Sequence, residues 1–200
     1  VHEKFLRLLR EYLLIGGMPA VLNAYLEDRK SPAYQNQQTS LLQTYRDDFG
    51  KYASRARQVH LQKVFLTAPA LVGQRYKYSH VDADTQSREL KEALLLLTRA
   101  GVIHKVVSAS AQGLPFQLNE NKFKILFLDV GLMQRGCGLD ASIAMTDDFL
   151  AINSGALAEQ WAGQELLASS SPYEDKGLVF WVRDKKNSQA EIDYLTVHRS

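Results

Sequence analysis

The sequence predicts an α+β fold in which helices come first and strands follow. Apolar residues recur at helical spacing through the first hundred residues, whereas short apolar runs bounded by turn residues occur at 102–107, 124–128 and 178–182. Of the 200 residues, 46% are hydrophobic, so the chain can build one or two compact cores.

The charge distribution and the cysteine content indicate which kinds of partner and which cellular compartment fit this chain. Residues 1–100 hold 15 Lys and Arg against 10 Asp and Glu, and residues 101–200 hold 9 against 12. A basic first half permits nucleic-acid contact and an acidic second half permits a metal site, although both biases also fit an ordinary solvated surface. The single cysteine, Cys137, excludes an internal disulfide and favours a cytoplasmic location. No apolar run approaches the ~20 residues of a membrane span.

The first part of the chain predicts a small helical bundle. Residues 3–15 form an amphipathic helix that Gly16 and Gly17 end, and Pro19 suits the first position of the next helix. A third helix is predicted over 35–53, with an apolar stripe of Leu41, Leu42, Tyr45, Phe49 and Tyr52. We interpret this stripe as core and not as a base-stacking surface.

The middle of the chain predicts a winged-helix-like arrangement. A fourth helix covers 59–73, with Leu61, Val64, Phe65, Ala68 and Leu71 inward. A fifth covers 86–99, with Leu90, Ala93, Leu94 and Leu97 on one face and Gly101 as its stop. Strands at 102–107, 115–118 and 124–128 follow. Helix, helix, strand, turn, strand is the order of a winged helix, although a short intermediate helix is hard to find in 79–86.

The candidate nucleic-acid-binding residues are Arg88, Lys91, Arg99 and Lys105. The first three lie on the polar side of the predicted recognition helix, and Lys105 follows on the first strand. The same helix face carries Glu89 and Glu92, which repel phosphate. A structural or protein-binding winged helix is therefore the alternative to DNA recognition.

The C-terminal part carries the candidate catalytic and metal-binding residues. Asp129 follows a strand and opens a short helix that ends near Gly136, and Asn153 or Ser154 caps the next helix. That helix carries Glu159, and the last of two strands carries Glu191 and Asp193, which point to one face because they are two residues apart.

A helix Glu followed by a strand Asp is typical of the Mg²⁺ site of restriction-endonuclease-like domains. Mg²⁺ prefers carboxylate oxygens and generates the attacking hydroxide in such sites. Glu159 and Asp193 are the candidate catalytic residues, and Glu191 joins them as a candidate metal ligand. The Glu-x-Lys of the usual following strand is absent, and the alternative is that Glu159 and Asp193 are surface residues. No G-x-x-x-x-G-K-[ST] occurs, which excludes a P-loop ATPase site in this chain.

Several separated motifs occur together: YLLIGGMP (12–19), DDFGKYA (47–53), SRELKEALLLLTRAGVIHKV (87–106), KILFLDVGL (124–132), GALAEQWAGQEL (155–166) and FWVRDKKNSQAEIDYL (180–195). In this order they resemble the C-terminal region of predicted bacterial and archaeal AAA-type ATPases, a domain of unknown function of the DUF 4143 type. The resemblance covers nearly the whole chain.

The resemblance implies a helical linker or bundle over 1–58, a winged-helix-like domain over 59–127 and an incomplete restriction-endonuclease-like domain over 128–200. It also implies an ATPase domain before Val1, which agrees with a chain that begins inside a predicted helix. The expected partners are that ATPase domain and DNA or another protein, and the expected cofactor of the full-length protein is Mg²⁺. The alternative functions are a non-catalytic protein-interaction module and a winged-helix DNA-binding regulator.

Overall fold

A computed structural model describes residues 2–52, 54–110, 115–138, 154–169, 177–185 and 188–196. The helices are α1 (His2–Ile15), α2 (Pro19–Glu27), α3 (Ala33–Tyr52), α4 (Arg55–Thr67), α5 (Tyr78–Val81), α6 (Ser87–Arg99), α7 (Val130–Gly136) and α8 (Ser154–Ala168), with a 3₁₀ turn over Ala68–Leu71. The strands are β1 (Ile103–Ala109), β2 (Leu118–Phe127), β3 (Val179–Lys185) and β4 (Ser188–Leu195). The α+β class predicted from the sequence is confirmed.

The core forms where α4 and α6 pack on the first strands. The predicted inward residues of α4 and of the following turn are all buried, as are the predicted core residues Leu90, Ala93, Leu94 and Leu97 of α6. Gly101 has a φ of +70°, which confirms it as the residue that ends α6. The 3.6-residue period therefore predicted both the helices and their buried faces.

The sequence predicted the buried face of α1 and the bounds of the short elements less accurately. Phe5 and Leu8 belong to the stripe that predicted α1, yet their side chains are 66% and 43% exposed, and Leu13 and Ile15 are buried instead. The one-turn helix α5 was missed, because four residues carry too little periodicity. The strand predicted at 124–128 is the second half of a longer strand, β2, whereas the strand predicted at 115–118 is wrong except for its last residue, Leu118.

The turn predicted between the first two strands lies partly outside the described residues, at 111–114, and the cap predicted at Asn153 lies wholly outside them. The side chain of Ser154, the alternative cap, is not described either. Among the helices described, none is long and apolar enough to cross a membrane.

Within the described residues the strands form one sheet in the order β2-β1-β3-β4. The β1–β2 and β3–β4 pairs are antiparallel, and β1 joins β3 in parallel through Val107 and Val179. The sheet thus joins strands from the predicted second and third domains. Although β2 and β4 are the outer strands, Lys124 of β2 donates a hydrogen bond to Asp193 of β4, so the sheet is curved enough for side chains of its two edges to meet.

Asp129 joins the end of α1 to the start of α7. Its carboxylate accepts hydrogen bonds from the backbone N–H of Gly17 at 2.7 Å and of Leu132 at 2.9 Å. The second bond caps the N-terminus of α7, the short helix that the sequence predicted to begin at Asp129 and to end near Gly136. Gly16 has a φ of +76°, and a Cβ there would lie 2.1 Å from the Asp129 carboxylate. The Gly-Gly pair is therefore needed both for the turn and for the close approach.

The carbonyl groups at the end of α1 are satisfied by two buried glutamines. Gln38 of α3 donates to the carbonyl oxygens of Leu14 and Ile15, and Gln134 of α7 donates to that of Leu13. The last carbonyls of a helix have no partner within the helix, so these bonds fix where α1 ends. Both glutamines are almost fully buried, at 3% and 2% exposed.

We predict that Gly131→Ala destabilises the protein although Gly131 lies in a helix. Helix propensity alone favours Ala by about 1 kcal/mol. A Cβ at Gly131, however, would lie 2.3 Å from the backbone oxygen of Ile15, so α1 and α7 would have to separate. We expect the free energy of unfolding, measured in urea, to fall by about 2 kcal/mol.

The matched control is Gly155→Ala in α8, where an added Cβ meets no atom within 4 Å. Its stability should stay the same or rise slightly. A Gly131→Ala variant as stable as the wild type would contradict the role of this contact.

Candidate functional site

The candidate site is built around the ammonium group of Lys124 on β2. Its side chain is 3% exposed, and its Nζ lies 5.5 Å from the centre of the Phe180 ring. Nζ lies 3.0 Å from a carboxylate oxygen of Glu159 and 2.9 Å from one of Asp193, and it also contacts Glu191. Three carboxylates, one from a helix and two from a strand, thus converge on one buried cation.

Helix α8 is held against β2 by paired hydrogen bonds next to this cluster. The side-chain amide of Gln160 accepts from the backbone N–H of Phe127 and donates to the Phe127 carbonyl, both at 2.8 Å. Tyr194 of β4 donates to the backbone oxygen of Glu159 at 2.7 Å. Gly163 leaves the space for this packing, since a Cβ there would lie 2.5 Å from the Tyr194 hydroxyl. These contacts fix the position of Glu159.

The three carboxylates of the cluster differ in how far they are buried, and burial affects the pKa of the most buried one, Glu159. The side chain of Glu159 is 9% exposed, whereas those of Glu191 and Asp193 are 32% and 60% exposed. Burial raises the pKa of Glu159, and the bond from Lys124 offsets part of that effect. Burial alone would lower the pKa of Lys124, but its hydrogen bonds to Glu191, Asp193 and Glu159 outweigh it, so the pKa is raised and the lysine stays charged.

All three predicted metal-binding residues lie in this cluster. Glu159 and Asp193 contact the same nitrogen although they are far apart in the chain, and Glu191 is also 3.6 Å from the Arg75 guanidinium. One ammonium against three carboxylates leaves a formal charge of −2, or −1 with Arg75 included. In the described part of the chain, no group of three His, Cys, Asp or Glu residues forms a ready ligand set for a metal ion. Instead, the carboxylates of Glu159 and Asp193 accept hydrogen bonds from the Lys124 ammonium.

Sequence reasoning missed Lys124, the residue at the centre of the cluster. The sequence does hold a signal, because Lys124 lies inside the otherwise apolar run of residues 123–128. In the structure every residue of β2 from Phe123 to Phe127 is buried, so both faces of the strand are covered there. A lysine inside such a run must have a charged or hydrogen-bonding partner, because an unpaired buried charge is very costly. The identity of the partners depends on the curvature of the sheet.

The predicted nucleic-acid-binding residues do not belong to this cluster. Arg88, Lys91 and Lys105 line a separate groove between α6 and β1, and Arg99 is not among its lining residues. Lys105 also donates to the Glu120 carboxylate at 2.7 Å. Since Lys105 pairs with Ile125 and Val106 pairs with Lys124, Lys105 and Lys124 project from opposite faces of the sheet.

The fold and the site define an α+β protein with a buried lysine–carboxylate cluster where its single described sheet meets α8. The chain belongs to the family described as Domain of unknown function (DUF8612), whose model matches residues 6–142. This match includes Lys124 and Asp129 and ends before α8. Comparisons with curated proteins and with solved structures found no match. The resemblance to AAA-type ATPase C-terminal regions stays a prediction.

We predict that Lys124→Met lowers the free energy of unfolding by about 3 kcal/mol at pH 8, because it leaves the carboxylates without their buried counter-charge. Without the ammonium, burial raises the folded-state pKa of Glu159 further above its unfolded value, because the bond from Lys124 no longer offsets it. The contribution of Glu159 to stability is then present below its unfolded pKa and is lost as pH rises through its folded pKa. The loss should therefore be smaller at pH 5 than at pH 8, measured by urea unfolding.

Lys105→Met on the neighbouring strand is the matched control. Its partner Glu120 is 66% exposed, so its loss should stay below about 1 kcal/mol. Equal losses in the two variants, or a Lys124→Met loss that grows at lower pH, would contradict the proposed pairing.

Proposed function

We propose that this chain is the C-terminal effector region of an AAA-type ATPase and that Lys124, Glu159, Glu191 and Asp193 form a Mg²⁺-dependent phosphodiester-cleaving site directed at nucleic acid. The observation that carries the proposal is the convergence of the three carboxylates on Lys124. Nucleases of the restriction-endonuclease-like kind combine carboxylates with a lysine. In this proposal Lys124 supplies the lysine of the site from β2.

The chemistry of the donors suits a hard divalent cation, which would replace the Lys124 ammonium as a partner of the carboxylates. Carboxylate oxygens are the ligands that Mg²⁺ prefers, and the excess negative charge of the cluster favours a cation. Glu159, Glu191 and Asp193 would hold the ion, with Asp193 and Glu191 on the more exposed side. When bound, Mg²⁺ neutralises charge on the phosphate and lowers the pKa of a water molecule.

The chain's own residues have separate roles in this proposal. The Lys124 ammonium donates hydrogen bonds to the carboxylates and offers positive charge to the phosphate oxygens as charge develops on them. Tyr194 and Gln160 hold Glu159 in place through the contacts described above. Arg75 lies beside Glu191 with its side chain 40% exposed, where it can contact a phosphate of the substrate.

The middle of the chain supports a winged-helix-like part in this region. The backbone N–H of Tyr76 donates to the carbonyl of Phe123 at 2.9 Å, so a short extended segment joins the edge of β2 between α4 and α5. Helix α4, this segment, α5, α6 and the β1–β2 pair then follow the winged-helix order. A DNA-binding regulator remains the weaker candidate function, because Glu89 and Glu92 lie on the same helix as Arg88.

A non-catalytic interaction module is the second candidate function. It is supported by the hydrogen bonds that the carboxylates already make to Lys124, since a cluster with satisfied partners is stable without a metal ion. In this case the partner is the ATPase domain or another protein. The two functions differ in whether the cluster cleaves phosphodiester bonds when Mg²⁺ is present.

We predict that Mg²⁺ at about 10 mM stabilises the wild type by about 1.4 kcal/mol, as expected for a dissociation constant near 1 mM. Asp193→Asn should abolish this stabilisation and any Mg²⁺-dependent cleavage of DNA. Glu120→Gln removes an exposed carboxylate from β2 and should change neither result. Urea unfolding with and without MgCl₂, followed by a cleavage assay on labelled DNA, measures both.

Mg²⁺-dependent stabilisation of Asp193→Asn equal to that of the wild type would overturn the metal site. Stabilisation without cleavage would favour the interaction module, because the cluster would then bind the ion without acting on phosphodiesters.

A further inference from the structure

A groove lies on the face of the sheet opposite the lysine–carboxylate cluster, between α6, α5 and β1. It has a volume of about 320 Å³, near the lower end of the range of ligand-binding pockets. Its lining includes Tyr78, Arg88, Lys91, Leu95, Thr98 and Lys105. The groove does not share residues with the cluster.

Its helical wall combines positive charge with an exposed apolar side chain. Arg88, Lys91 and Leu95 follow one another at i, i+3 and i+7, so they lie along one stripe of α6. All three are exposed, and Leu95 is 49% exposed. This stripe is separate from the buried stripe of α6, so it does not contribute to the core.

The charge of the groove is positive. Its one acidic lining residue, Glu92, pairs with Arg57 of α4 at 3.2 Å. Lys105 is held at the opposite wall by Glu120, and its ammonium lies 4.5 Å from the centre of the Phe123 ring. The α6 side of the groove, formed by Arg88 and Lys91, therefore carries a net positive charge that a ligand can contact.

We propose that this groove binds an acidic peptide segment of a partner protein, with a leucine-like side chain packed against Leu95 and Tyr78. Opposite charge would pair with Arg88 and Lys91, and burial of the apolar anchor would supply most of the affinity. A nucleic-acid backbone matches the rim charge but has no apolar group to cover Leu95. The combination of charge and apolar surface thus favours a protein partner.

The test uses a phage-displayed library of random peptides of about twelve residues, long enough for a short helix or extended segment to occupy a groove. The whole chain serves as the target. A selected peptide is then synthesised, labelled, and titrated by fluorescence anisotropy with the wild type, Leu95→Asp, and the Arg88→Glu/Lys91→Glu double variant. Leu118→Asp is the control, because Leu118 is 54% exposed on β2 and does not line the groove.

We expect selected sequences enriched in Asp or Glu together with Leu, Ile or Phe. Their affinity should fall at least ~10-fold in Leu95→Asp and in the double variant, the size of an interface hot spot, and stay within ~2-fold in Leu118→Asp. Circular dichroism checks that each variant is folded.

Three results would overturn the proposal. They are a selection without acidic enrichment, binding that the groove variants leave unchanged, and tight binding of duplex DNA that is lost in the Arg88→Glu/Lys91→Glu variant but kept in Leu95→Asp. The last result would assign the groove to nucleic acid. None of these measurements involves Mg²⁺, so they are independent of the cleavage site proposed above.

Discussion

The buried ammonium of Lys124 determines how β2, β4 and α8 meet in the C-terminal part of the structure. A cation that is 3% exposed must be compensated, and its partners come from α8 and from the far edge of the sheet. The sheet curves so that β4 reaches a side chain of β2, and α8 places Glu159 over the same point. The contacts that compensate this one buried charge therefore join β2, α8 and β4, which are distant from one another in sequence.

A second set of polar contacts joins α1, α7 and α8. Asp129 accepts the N–H of Gly17, and Gln164 accepts the N–H of Val130 while donating to the Tyr12 hydroxyl. Burial raises the pKa of Asp129, and the backbone hydrogen bonds counteract that effect. The Gly-Gly and Asp-Val-Gly motifs thus have a packing role, since their residues satisfy backbone groups and allow close approach. Such motifs need no catalytic explanation.

The two faces of the sheet separate two kinds of surface. The face of Lys124 carries a cluster with excess negative charge, and the face of Lys105 carries a groove with a positive and apolar wall. In the two proposals made above, the cation site and the peptide groove lie on opposite faces of the sheet, so binding at one would leave the other accessible.

Local patterns in the sequence determined the α+β class, the long helices α4 and α6 with their buried faces, the short helix that begins at Asp129 and the helix stop at Gly101. These features depend on residues within a few positions of each other. The same reasoning selected Glu159, Glu191 and Asp193 but missed Lys124. The apolar stripe predicted that α1 is a helix but not which part of it is buried. Phe5 and Leu8 are exposed, because the contacts that bury α1 are at its C-terminal end, where α7 and Gln38 of α3 meet it. Only the tertiary structure decided these points, since strand order, sheet curvature and the meeting of β2, β4 and α8 arise from contacts between distant parts of the chain.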